Sequence, residues 1–136
     1  MVNKIENIIN QIKAGGRPFW VVALLKMDDL VDRWTLVISA PWLSPENRDE
    51  IFSEILELLK ANLETEELVT LGQIGLLGKD SHLIAELLKR RAGTRLQQEK
   101  VNGNVIHEGV IIESNPNVQW QEGNLFTQPT APSNDS

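Results

Sequence analysis

Three carboxylates, Asp28, Asp29 and Asp32, stand close together with Arg33 directly behind them. They form the densest carboxylate cluster in any stretch that reads as a loop. Mg²⁺ sites use one or two carboxylates together with substrate phosphate. Asp28, Asp29 and Asp32 are therefore the candidate catalytic residues of a metal-dependent phosphoryl-transfer or nuclease-like enzyme. Nucleotidyl transferases place such a pair on a strand, one residue apart, after a Gly-Ser helix start, and this chain has neither feature. Aspartate is also common in turns, where its side chain caps backbone donors. A solvated turn is the preferred reading.

A second candidate is Gly72 to Ser81, Gly-Gln-Ile-Gly-Leu-Leu-Gly-Lys-Asp-Ser, set between an expected strand and an expected helix. It has the context of a phosphate loop without its signature. No glycine lies four residues before the Gly78-Lys79 pair, and Asp80 stands where a magnesium-binding hydroxyl belongs. A weaker anion contact through Lys79, Ser81 and free backbone donors is what remains. His82 and His107 are the only histidines and are far apart in sequence, which makes a poor metal site. There is no cysteine, hence no thiolate metal site and no cysteine nucleophile. No serine sits in a Gly-x-Ser-x-Gly elbow. No metal and no cofactor are expected.

The elements that would position these residues follow from periodicity. Ile5, Ile8, Ile9 and Ile12 repeat at helical spacing up to Gly15-Gly16. Phe19 to Leu25 is an unbroken apolar run and reads as a strand buried on both faces. Arg33 to Trp42 alternates at period two, with Trp34, Leu36, Ile38 and Ala40 on one side and Thr35, Val37 and Ser39 on the other. With most of the aromatic residues in or beside it, this stretch is expected to be a central strand, paired with the preceding one as an antiparallel hairpin. Ser44-Pro45-Glu46 predicts a helix start, and Ile51, Phe52, Ile55, Leu56, Leu59 and Leu63 predict a helix over 45–62. Val69 to Leu77 reads as a strand weakened by two glycines, after a possible turn at 65–67. Asp80 or Ser81 should cap a helix that places Lys89-Arg90-Arg91 at its negative end, before the stop at Gly93. Asn102-Gly103 then predicts a hairpin between a polar, edge-like arm (95–101) and a more apolar inner arm (105–113).

The stretch Arg-Trp-Thr-Leu-Val-Ile-Ser-Ala-Pro-Trp-Leu, residues 33–43, resembles one found in a family of small bacterial proteins of uncharacterised role. The resemblance implies no activity, cofactor or site residue.

The expected fold is α+β: a mixed, largely antiparallel five-stranded sheet with helices packed on it, in the order α-β-β-α-β-α-β-β. The expected domains are residues 1–114 and a polar C-terminal tail, 115–136, rich in Asn, Gln, Pro, Ser and Thr. Trp120, Leu125 and Phe126 are the apolar exceptions in that tail and the candidate partner-binding residues. Nineteen acidic against thirteen basic residues give a net charge of −6, which repels phosphate backbones, so no nucleic-acid partner is expected. No apolar run reaches the ~18–20 residues of a membrane span, and a cytoplasmic location is expected. With no complete catalytic constellation, the expected function is a small non-catalytic binding or assembly module, self-associating or bound to another protein.

Overall fold

A computed structural model describes residues 1–27, 33–101 and 103–120. Its elements are α1 (Val2–Ala14), β1 (Val21–Met27), β2 (Trp34–Ser39), α2 (Arg48–Asn62), α3 (Thr65–Thr70), β3 (Leu71–Leu76), α4 (His82–Leu87), β4 (Arg95–Val101) and β5 (Asn104–Ser114). The strands form one sheet in the order β3-β2-β1-β5-β4. Every neighbouring pair is antiparallel except β2 and β3, which run parallel through the α2–α3 crossover. The fold is α+β, with one more helix than expected.

β2 is an interior strand, as expected, and β1 beside it holds the middle of the sheet. β1 is flanked by β2 and β5, and Val21 through Leu25 are fully buried. An apolar run with no polar position needs both faces and both edges covered. β2 alternates as expected and sits one place out. Leu36, Ile38 and Ala40 join the isoleucine stripe of α1 and Ile51, Ile55 and Leu59 of α2. Val37 points to the opposite face, with Ile84 and Leu87 of α4. Both expected antiparallel pairings form: Val21 opposes Ser39 in the first, and Val101 opposes Asn104 in the second. Gly109 of β5 is needed because β1 passes so near: a Cβ there would lie 2.8 Å from the Leu25 side chain.

Three helix boundaries depart from the sequence reading. α2 begins at Arg48, because Ser44 and Asn47 hold a separate turn. The Ser44 N–H donates to Asn47 Oδ1 at 2.9 Å, and the Asn47 N–H donates to Ser44 Oγ at 3.3 Å. Val69 and Thr70, expected in a strand, are helical. The Glu67 carboxylate accepts from the Glu64 N–H at 2.9 Å, as in a capping box, and this nucleates α3 against the β-branched preference of those two residues. α4 is only six residues long, and Ser81 rather than Asp80 is its cap, accepting from the Ile84 N–H.

Candidate functional site

The two ends of the sheet are built differently. β4 carries Arg95, Glu99 and Lys100, and its path is distorted at Gln98, which takes φ 48° between the regular pairs Gln97–Glu108 and Glu99–Ile106. Charges and local distortion are how edge strands discourage further pairing. β3 has neither safeguard on its outer half: its sequence is Leu-Gly-Gln-Ile-Gly-Leu, without charge or proline. Its one irregularity lies at the start, where Trp34 pairs with Leu71 and Thr35 already with Gln73.

The backbone orientation at this edge follows from one bond. The Leu77 N–H donates to the Ile38 carbonyl at 2.9 Å, and Ile38 is paired with Leu76. In a parallel ladder that arrangement turns residues 75 and 77 toward β2, and turns Ile74 and Leu76 outward. Their N–H and C=O groups line the outer edge of the sheet, where no described strand pairs with them.

The side chains around this edge are mostly apolar, Gln73 and the Arg33 side chain beside Gly72 being the exceptions. Phe52 and Leu56 of α2, with Leu71 to Ile74, line an open groove of about 300 Å³. The apolar stripe of α2 is wider than the sheet can cover, so Ile51, Ile55 and Leu59 are buried while Phe52 stays 37% exposed. Val69, at the end of α3, is 61% exposed. Among the described residues these two are the large hydrophobic side chains left exposed; Phe52 lines the groove beside β3, and Val69 stands two residues before β3 begins. Gly75 adds a third feature. A Cβ there would meet nothing within 4 Å, and its φ is not positive, so neither crowding nor conformation within the fold requires a glycine. Gly72 is different, since a Cβ would lie 2.9 Å from Cβ of Arg33.

An ion-pair cluster positions the start of β3. Lys4 Nζ of α1 lies 2.8 Å from Glu67 Oε1 of α3. The hydrogen bond from Lys4, then that from the Glu64 N–H, hold the Glu67 carboxyl down to about 2, and the same bond raises Lys4. On the far side of the sheet, Lys89 similarly lowers Glu86.

The residues singled out from the sequence lie elsewhere. Asp28, Asp29 and Asp32 fall outside the described residues, as do Leu125 and Phe126. Lys79 is engaged locally: its ammonium sits 4.9 Å from the centre of the Trp20 ring and donates to the Pro116 carbonyl at 3.2 Å. Ser81 caps α4. Trp120 is half-buried against the cluster on the α1–α2 face. Its approach is set by Asn115, whose N–H donates to the Trp20 carbonyl at 2.8 Å, and by the Trp20 indole, which donates to the Val118 carbonyl at 3.0 Å. Among the described residues no group of three histidine or acidic side chains is placed to hold a metal ion. No helix among them is long and apolar enough to cross a membrane. Phe52, Val69, Ile74 and Gly75 are not among the site residues expected from the sequence. The signal available was the absence of charge from Leu71 to Leu77 beside the charged 95–100 arm.

No protein-family model, curated protein or solved structure matches this chain.

Proposed function

We propose that this chain is a small, non-catalytic binding or assembly module whose working surface is the β3 edge with the groove beside α2. The observation that carries this reading is the asymmetry of the sheet: charge and distortion guard β4, while β3 is neutral and bordered by Phe52 and Val69. Main-chain pairing along an open edge supplies affinity, and apolar pockets beside it supply selectivity. The partner in this reading is protein, because a net charge of −6 disfavours nucleic acid. The absence of cysteine accords with a cytoplasmic setting. No metal or cofactor takes part.

Residue-resolved amide exchange on the full chain tests this. The outward N–H groups of Ile74 and Leu76 should exchange slowly at high protein concentration, while the exposed amides of the β4 edge exchange freely. If Ile74 and Leu76 exchange as fast as the β4 edge under every condition, the edge has no occupant and the reading fails.

A further inference from the structure

We infer that the occupant of the β3 edge is a second copy of this chain, paired antiparallel about a twofold axis at Ile74 to join two sheets into one. This rests on the binding-module reading and names its partner.

The argument begins with charge. Two copies that each carry −6 repel over most approaches. β3 is free of charge, so it can lie against itself without setting like charges opposite each other. Geometry then narrows the register, and the position of Gly75 selects within it. Residues opposite one another in an antiparallel pair put their side chains on the same face, so a twofold axis must pass through a residue facing itself. Ile74 meets the requirement with its N–H and C=O turned outward, and two copies there exchange both hydrogen bonds. Gln73 of each copy then stands opposite Gly75 of the other, on the face away from α2. The long glutamine side chain lies over Gly75, where a Cβ would meet nothing within 4 Å. This supplies a reason for Gly75 that the isolated fold does not.

On the other face the two Ile74 side chains meet beside the grooves. The axis is perpendicular to the sheet, so both α2 helices lie on the same side of it. Phe52 and Leu56 of one copy thus approach the same residues of its partner across the axis. The exposed aromatic ring and the adjoining groove are accounted for by the same contact.

Sedimentation equilibrium of the full chain over a wide concentration range, with amide exchange on the same samples, tests the proposal. The expected result is a mass twice 15.3 kDa. Slow exchange at Ile74 and Leu76 should appear in step with association. Ile74→Lys places two ammonium groups opposite each other on the axis and should weaken association at least ~100-fold. The wild-type exchange data stand even if that variant folds poorly. A monomeric mass with protected Ile74 and Leu76 would overturn the second copy while leaving the edge reading intact, with a segment of the same chain as the occupant. A monomer whose edge exchanges freely would overturn both. A dimer that survives Ile74→Lys with those amides unprotected would place the contact elsewhere and overturn the register and the edge together.

Discussion

Glu67 accepts a hydrogen bond from Lys4 and another from its own helix start, so one carboxylate ties α1 to α3 and fixes where β3 begins. Its folded form holds the proton less tightly than the unfolded chain, with the affinity lowered from an ordinary 4.5 to about 2. The stabilisation is therefore fully present above the unfolded value and fades as pH falls through that window. Glu67→Gln should melt below the wild type at neutral pH, and the two melting curves should converge as pH drops toward the lower limit. Parallel curves across the whole range would mean the carboxylate contributes nothing through its charge.

Phe19 belongs to the same scale. It is fully buried and packs edge-on against Trp42 with ring centres 5.3 Å apart. Phe19→Ala should cost about 3–5 kcal/mol through the cavity it leaves. Ser44→Ala, which removes one side of the Ser44–Asn47 turn, should cost about 1 kcal/mol. Urea unfolding that finds the two equal would contradict the assignment of Phe19 to the core. Trp34, on the same side of β2 as Leu36 and Ile38, is only half-buried, with Lys26 over its ring.

Among the elements, those with strong local signals were readable from sequence. The isoleucine stripe of α1 is buried at each expected position. β4 and β5 pair as expected, with Val101 opposite Asn104, and Gly103 takes φ 82°. The 95–101 arm, mostly polar, is an edge as its composition indicated. Boundaries were lost where side chains redirected the backbone. Asn47 competes with Ser44 for the start of α2, and Glu67 pulls Val69 and Thr70 into α3. Propensity favoured a strand there, and a carboxylate two residues away decided otherwise. Gln98 is also invisible in the sequence, since nothing in Gln-Gln-Glu announces a left-handed residue. Its conformation gives a test. Gln98→Val forces a β-branched residue into positive φ and should cost about 1–2 kcal/mol by chemical denaturation. A neutral or stabilising result would show that β4 straightens readily, and the edge would lose that safeguard.

For the whole molecule, among the described residues the sheet has one guarded edge and one bare edge, and the exposed Phe52 lies in the groove beside the bare one. This could be seen only after the strands were ordered. Sequence shows that Leu71 to Leu76 is neutral, but not that it lies outermost, because a parallel crossover and an antiparallel return leave the same local pattern. The groove was hidden for a similar reason. Phe52 and Leu56 fit the apolar stripe of α2, and only the width of the sheet beneath them decides which residues are covered. Lys79 and Ser81, the candidates for an anion contact, are taken up by contacts within the fold.

The most direct measurement is an isotope-filtered NMR experiment on a mixture of labelled and unlabelled full chain, which records only contacts between copies. With the axis at Ile74, Gln73 and Gly75 form a non-hydrogen-bonded pair across the interface, whose Cα atoms lie about 4.5 Å apart. A strong contact between the α-protons of Gln73 in one copy and Gly75 in the other is the predicted result. Intermolecular contacts confined to β4, α1 or any other surface would contradict the account, as would no intermolecular contact at concentrations where the edge amides are protected.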